Sequence, residues 1–443
     1  MSIVTVRKPK TRSRNLLLAM VFTTALTLAG CDRVAPHQPD AKPTRSLTVE
    51  AIASPVSGDS IVPQVVETLS GDIIVSWLEP LSPKGYAFRM AIRSGGNWSE
   101  VRTISSGPDI SMFQADLPGV AETQDGRLLA YWEVCDKTNG DRYATIIQVA
   151  SSQDGGRTWS APTRPYRKGH PGQHGFISAF PIGGNVGLVW LDAEQQRYLP
   201  AKNGRNEDWK GAIGLRYASV DAQGRSQADS FIDPITCECC STAAAVSSRG
   251  PVVVYRGRRE QHDAKPSETE VYKPTVRDIQ ISRLENGKWT KPRAVFDDNW
   301  VMNACPDNGP AVDAAGNSLA VAWWTAAENQ PAVKVAFSSD AGDTFTRPVR
   351  VDNGAGAGQV TVALSGDQRG AVIGWIEGNN VWARWVSQDG HLGSPILLGP
   401  AAGRRLPRWI NANGDIFAVW TEREEGEKRS VRVARLTPAA RAA

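Results

Sequence analysis

The residues of this chain with chemistry to offer are a group of thiols and a scatter of cations. Cys237-Glu238-Cys239-Cys240 is followed, much further along, by Cys305-Pro306. Thiols in that pattern can close disulfides, hold a soft cation such as Cu(I) or zinc, or exchange disulfides if one of them is an exposed thiolate of low pKa. Neighbouring side chains diverge on an extended chain, so Cys239 and Cys240 side by side argue against all four sulfurs serving one tetrahedral ion. In an oxidising compartment one or two bridges would staple adjacent segments, for roughly 2–4 kcal/mol each. His174 is the imidazole that a metal site would add. Arg256, Arg258 and Arg277 can supply guanidinium groups to an anionic ligand, with Asp116 and Asp192 as carboxylates in comparable positions. No residue declares itself catalytic.

These residues need elements to position them, and the sequence supplies a repeat. An apolar strand opened by Gly and closed by an aromatic occurs at Gly71 to Trp77, Gly126 to Trp132, Gly184 to Trp190, Gly250 to Tyr255, Gly316 to Trp323, Gly370 to Trp375 and Gly414 to Trp420. Consecutive aromatics are 55, 58, 65, 68, 52 and 45 residues apart, the length of a four-stranded blade with variable loops. The spacing predicts an all-β chain and a seven-bladed β-propeller, with six blades as the alternative. The seventh unit ends after its third strand, near Val431 to Leu436, while Leu47 to Ile52 stands alone before the first. The N-terminal strand is therefore expected to complete the last blade and remove both free edges. Just past the seven aromatics come Glu79, Glu133, Asp192, Arg256, Thr325, Glu377 and Glu422, read either as solvated strand ends or as the wall of a central pocket.

One turn is written twice. Ser152, Asp154, Gly156, Thr158 and Trp159 match Ser338, Asp340, Gly342, Thr344 and Phe345 position for position. Ser and Asp can close such a turn on its own backbone, Gly supplies positive φ, and the aromatic plugs it. The pattern S-x-D-x-G-x-T-[WF] resembles the Asp box of the sialidase superfamily, whose boxes are structural and lie between third and fourth strands on one rim. The resemblance implies that the odd residues, which fall in links between blades or after second strands, gather on the opposite rim. It also implies a site of three arginines, a tyrosine nucleophile with a glutamate, and an aspartate acid. The Arg-Ile-Pro motif of true sialidases is missing, with only Phe88-Arg89-Met90 near its place, and Tyr255 stands where other blades carry a packing tryptophan.

The start of the chain reads as an address. A basic stretch from Lys8 to Arg14 precedes an apolar run from Leu16 to Gly30, and Leu28-Ala29-Gly30-Cys31 resembles the lipobox of bacterial lipoproteins, which implies lipidation of Cys31. Residues 1–30 are accordingly read as a signal peptide, 31–45 as a flexible tether, 46–437 as one propeller and 438–443 as a tail. This places the protein in the cell envelope, facing the periplasm and held to a membrane by its lipid alone. A formal charge of +4 gives no reason to expect a nucleic-acid partner. The functional expectation is a sialidase-like propeller that binds an anionic glycan or an envelope protein through the rim bearing Cys, His and Arg. A divergent exo-glycosidase acting on an anionic glycan, and a thiolate copper- or zinc-handling protein, are the alternatives.

Overall fold

The computed structural model describes residues 45–439 apart from 113–117, 139–143, 167–171, 196, 200–207, 211, 261–274, 303, 355–357, 404–405, 425 and 427. The chain divides into two units, Met1–Lys42 and Pro43–Ala443. The first lies outside the described residues, as do Cys31, the segment read as a signal peptide, and Asp116.

The second unit is built around seven antiparallel blades in sequence order. Blade 1 comprises Ile61–Glu67, Ile73–Pro80, Tyr86–Ser94 and Arg102–Gly107, and blade 2 comprises Gly119–Glu122, Leu128–Cys135 and Thr145–Ser152 with an outer bridge from Val149 to Thr163. Blade 3 comprises His174–Ile182, Asn185–Asp192, Gly214–Val220 and Ser226–Asp233. Blade 4 comprises Ala243–Ser247, Gly250–Arg256 and Ile279–Glu285, edged by Lys288–Trp289 and Arg293–Ala294. Blade 5 comprises Ala311–Ala315, Ser318–Thr325, Ala332–Ser338 and Val349–Arg350, and blade 6 Gly358–Leu364, Gly370–Glu377, Asn380–Ser387 and Ile396–Pro400. Blade 7 takes Arg408–Ala412, Asp415–Arg423 and Arg429–Pro438 from the end of the chain and Leu47–Ile52 from its start.

The Gly-to-aromatic strands are the second strands of these blades, and their composition follows from where they sit. Each is covered on both faces by neighbouring blades, so it reads as an apolar run where a half-exposed strand would alternate. In blade 4, Val252 and Val254 face blade 5 while Val253 and Tyr255 face blade 3. Seven apolar clusters account for all seven contacts between successive blades, including the one that joins Trp77 of blade 1 to Val419 and Val431 of blade 7. The ring is therefore closed, and the count is seven.

Closure uses the N-terminal strand as expected, with Leu47 paired to Pro438, Val49 to Leu436 and Ile52 to Val433. A second latch was not legible: Ser60 N–H donates to the carbonyl of Arg429 at 3.0 Å, and Arg429 forks onto Asp59 at 2.9 and 2.5 Å.

Both repeated turns lie at the ends of third strands and share one bond pattern. Ser152 Oγ accepts from Gly156 N at 2.8 Å and Asp154 accepts from Thr158 N and Oγ1 at 2.9 and 2.7 Å. Ser338, Gly342, Asp340 and Thr344 repeat this at 2.8, 2.9 and 2.6 Å. Hydrogen bonds to Thr158 and Ser152 hold the Asp154 carboxyl well below its usual range. A reduced third turn closes blade 6, where His391 N donates to Ser387 Oγ at 2.8 Å. Its sequence keeps Ser387 and Asp389 but carries His391 in the slot of the glycine and lacks the Thr and the aromatic, so the full pattern passes over it.

Candidate functional site

Second strands of adjacent geometry run from the turn-bearing rim to the opposite one, so Arg256, at the end of its strand, marks the far rim. The amide of Cys237 donates to the carbonyl of Arg256 at 3.0 Å, which fixes the thiol loop there. Cys239 forms a disulfide with Cys305, with Cα atoms 6.2 Å apart, and so joins the link between blades 3 and 4 to the link between blades 4 and 5. Cys237 and Cys240 are free thiols, both buried, with sulfurs 2.9 Å apart, and Cys237 Sγ lies 3.9 Å from Cys239 Sγ. The divergence of adjacent side chains is resolved as expected, Cys239 turning out to Cys305 and Cys240 turning in to Cys237. The two links touch closely: a Cβ on Gly309 would collide with the main chain of Ser241.

Electrostatics separate the two inner thiols. Burial pushes Cys237 up, but the hydrogen bond from Cys240 and the charges of Arg277 and Arg256 outweigh it and bring it down to about 6. Burial, together with the hydrogen bond to Cys237 and its charge, pushes Cys240 up.

The three arginines meet this loop in different ways. Arg258 and Arg277 both pair with Glu238, inside the Cys237-to-Cys240 stretch, Arg277 at 3.4 Å. Arg277 is buried, and its Nε has no hydrogen-bond partner among the described residues. Arg256 is buried with its guanidinium on three main-chain carbonyls, those of Asn308, Arg277 and Trp324, and against the face of Trp300. It joins the second strand of blade 4 to the links beside it.

His174 and Asp192 are brought together, but at the contact between blades 2 and 3. His174 Nδ1 lies 3.3 Å from Asp192 Oδ2, Tyr166 stacks on the imidazole at 5.0 Å, and Trp190 Nε1 donates to the same carboxylate at 2.8 Å. Among the described residues, the set of ligand atoms close enough to share a metal is Cys237, Cys239 and Cys240, without His174. With Cys239 in its disulfide, two thiols remain, too few for a tetrahedral zinc site; two sulfurs suit only a soft ion of low coordination.

In several blades the acidic residue past the aromatic serves the indole that precedes it. Trp77 Nε1 donates to Glu79 at 2.9 Å and Trp375 Nε1 to Glu377 at 2.8 Å, two residues on and on the same strand face. Blades 4 and 5 reach the same end differently, with Tyr255 donating to Asp233 at 2.7 Å and Trp323 to Asp298 at 2.6 Å. A buried indole N–H or tyrosine O–H usually finds an acceptor, and in these four blades a carboxylate supplies it.

Three inner strands are distorted where they start, on the cysteine-bearing side. The inner strands of blades 1, 3 and 6 each break register near their first residues, at Val62, Phe176 and Gln359, all with φ between 47° and 58°. These positions pair with the ends of second strands, and bulges of this kind re-aim a chain at a rim.

One feature on this side was missed by sequence reading. A cleft of about 710 Å³ runs along the outer edge of blade 4, lined by Arg259, Asp278, Gln280, Lys291, Arg293, Asp297 and Asn299 among others. A small sheet of Arg259–Glu260, Thr275–Val276 and Val301–Met302 contributes Arg259 and Val276 to its lining. Arg259 is held by Gln280 Oε1 at 2.5 Å, and no described residue forms an ion pair with Arg259, Lys291 or Arg293. Burial pushes Asp278 up to about 6, aided by the charges of Asp298 and Asp297 and opposed by hydrogen bonds from the amides of Trp300 and Asn299. None of the five described candidate ligand residues, His174, Asp192, Arg256, Arg258 and Arg277, lines this cleft, although Arg277 lies between two that flank it, Val276 and Asp278.

No family model matches the chain, and no curated protein matches it. Among solved structures it is similar to a protein of unknown function from Dyadobacter fermentans, at 13% identity over 89% of this chain and 99% of that one, with a TM-score of 0.45. It is also similar to a mutant of NanB sialidase from Streptococcus pneumoniae, at 10% identity over 90% and 71% with a TM-score of 0.42. An α-L-arabinofuranosidase from Fusarium graminearum matches at 11% identity over 89% and 97%, with a TM-score of 0.43. Values this low carry no activity, substrate or site to this chain.

Proposed function

We propose that this protein is a cell-envelope binding propeller, tethered by a lipid at Cys31, that takes an acidic glycan in the blade 4 cleft beside its cysteine-bearing rim. The observation that carries the reading is the set of Arg259, Lys291 and Arg293, three cations that converge on one cleft without an ion-pair partner among the described residues. Cations lining a concavity favour an anion there, and the low-dielectric walls strengthen the attraction. Asn299 adds an exposed amide whose oxygen can accept from a hydroxyl. The volume falls within the range of small-ligand sites, which favours a few sugar residues over a flat protein surface. The membrane tether is supported by the order of charge, apolar run and Leu28-Ala29-Gly30-Cys31.

The test is an array of carboxylated, sulfated and neutral oligosaccharides, with an acidic polypeptide as a separate arm, each at low and high salt. Binding of acidic glycans that weakens with salt is expected. Binding of the polypeptide alone would point to an envelope protein, and equal binding of neutral sugars would remove the role of the cations. Mass spectrometry of the mature N-terminus from membranes checks the lipid: Cys31 unmodified, or cleavage elsewhere, contradicts it.

A hydrolase reading is favoured by one specific feature, Asp278 and Asp297 in the same cleft. A carboxyl that burial pushes up to about 6, sharing a cleft with a second carboxyl, supplies the two groups that glycoside hydrolysis uses. Release of sugar from an array hit, lost in Asp278→Asn, would convert the binding site into an active site.

A further inference from the structure

The thiols on the cysteine-bearing rim are arranged in two layers. Cys305 is exposed and Cys239 half-buried, whereas Cys237 and Cys240 are each only 1% exposed. The outer pair is joined, the inner pair is not, and Cys237 Sγ stands 3.9 Å from the Cys239 end of the outer bond and 2.9 Å from Cys240 Sγ. We propose that the four sulfurs form a nested thiol–disulfide exchange site, in which the inner pair trades its protons for the bond of the outer pair, and the outer pair exchanges with a dithiol or disulfide from solvent.

The internal step balances without any outside reagent. Cys237 attacks Cys239 Sγ, the Cys239–Cys305 bond breaks, and Cys305 leaves with the proton that Cys237 gives up. Cys240 then attacks Cys237 Sγ, a Cys237–Cys240 bond forms, and Cys239 leaves with the proton of Cys240. One disulfide and two thiols are present before and after, so no electrons are gained or lost. In the second arrangement the surface carries a dithiol, which an outside disulfide R–S–S–R oxidises back to Cys239–Cys305 while it is itself reduced to two R–SH.

Three features fit this use better than a structural staple. Attack needs a thiolate within contact distance of a disulfide sulfur, and Cys237 is placed beside Cys239 with Arg277 and Arg256 stabilising its charge. The links do not depend on the outer bond for their positions, because Gly309 packs on Ser241 and Arg256 holds the carbonyl of Asn308. The inner pair spans Cys237 to Cys240, a separation that a local disulfide can close, so the bond can move without the blades moving.

The test is disulfide mapping of the full-length protein with no added reductant. Native protein is treated with iodoacetamide, then unfolded and treated with isotopically heavy iodoacetamide, and the linked peptides are read by mass spectrometry. Both Cys239–Cys305 and Cys237–Cys240 linkages are expected, with Cys305 carrying the light label. In Cys237→Ser, light labelling of Cys305 should slow by about tenfold or more, because the attacking sulfur is gone. In Cys240→Ser the exchange should stop half-way, with Cys237 linked to Cys239 and Cys305 free. Thermal unfolding of each variant checks that it is folded, and the wild-type map needs no variant. A wild-type map containing Cys239–Cys305 alone, with Cys305 unlabelled throughout, overturns the proposal, as does equal Cys305 labelling in wild type and Cys237→Ser.

Discussion

Arg256 Nε donates to the main-chain oxygen of Asn308 at 2.9 Å, joining the second strand of blade 4 to the link that enters blade 5. The same guanidinium reaches the carbonyls of Arg277 at 2.7 Å and Trp324 at 2.6 Å. Arg256→Met would keep the stem but leave buried carbonyls unpaired, at about 1–3 kcal/mol for each. Urea unfolding should show a loss of roughly 3–5 kcal/mol, the range for removing one partner of a buried charged group, with glycan affinity of the folded fraction unchanged. A loss of affinity without a loss of stability would place Arg256 at the ligand instead.

Removing Leu47–Ile52 should open the ring. The strand Arg429–Pro438 would then expose an unpaired edge, and exposed edges invite pairing between chains. Size-exclusion chromatography should show self-association, and a synthetic peptide of residues 45–54 added in trans should suppress it. A truncated protein that stays monomeric with its melting temperature intact would show that the strand does not close the ring.

Asp313 gives a pH dependence whose sign is fixed by its surroundings. Burial pushes its carboxyl up to about 6, against hydrogen bonds from the amides of Leu364 and Ala314 at 2.7 and 2.8 Å. An unfolded Asp titrates near ~3.9. Between these values the folded state binds the extra proton, so this group lowers stability as pH rises from about 4 to about 6, and the loss persists above. Asp313→Asn cannot ionise, and its side-chain oxygen can still accept. Chemical unfolding from pH 4 to 7 should show the variant gaining on the wild type through that window, and parallel curves would contradict the assignment.

Much of this was legible because packing geometry writes itself into composition. A second strand covered on both faces must be apolar throughout, so Gly250 to Tyr255 and its six counterparts stood out, and the unpaired Leu47 to Ile52 followed from counting strands. Cys239 and Cys305 could be brought together from strand order alone, since consecutive links share a rim. The partition of the sulfurs into an outer bond and an inner thiol pair could not, because it depends on which way each side chain turns. The acidic residues after the aromatics misled for a related reason: Glu79 beside Trp77 looks like an exposed strand end until the indole N–H is seen to need it. The blade 4 cleft was invisible because its walls come from short segments far apart, Arg259 with Val276 on one side and Lys291 to Ala294 on the other, with no period of their own.

The cations of that cleft decide the functional reading. Titration calorimetry of the tightest acidic glycan should be run on the wild type, on Lys291→Ala/Arg293→Ala, and on Arg258→Ala, whose guanidinium already pairs with Glu238. Charge-assisted hydrogen bonds contribute about 1.5–3 kcal/mol each, so the double variant should bind at least about tenfold more weakly, with a shallower salt dependence, while Arg258→Ala stays close to wild type. Unchanged affinity in the double variant, with the loss appearing in Arg258→Ala, would contradict a cleft-bound anion and return the ligand to the thiol loop.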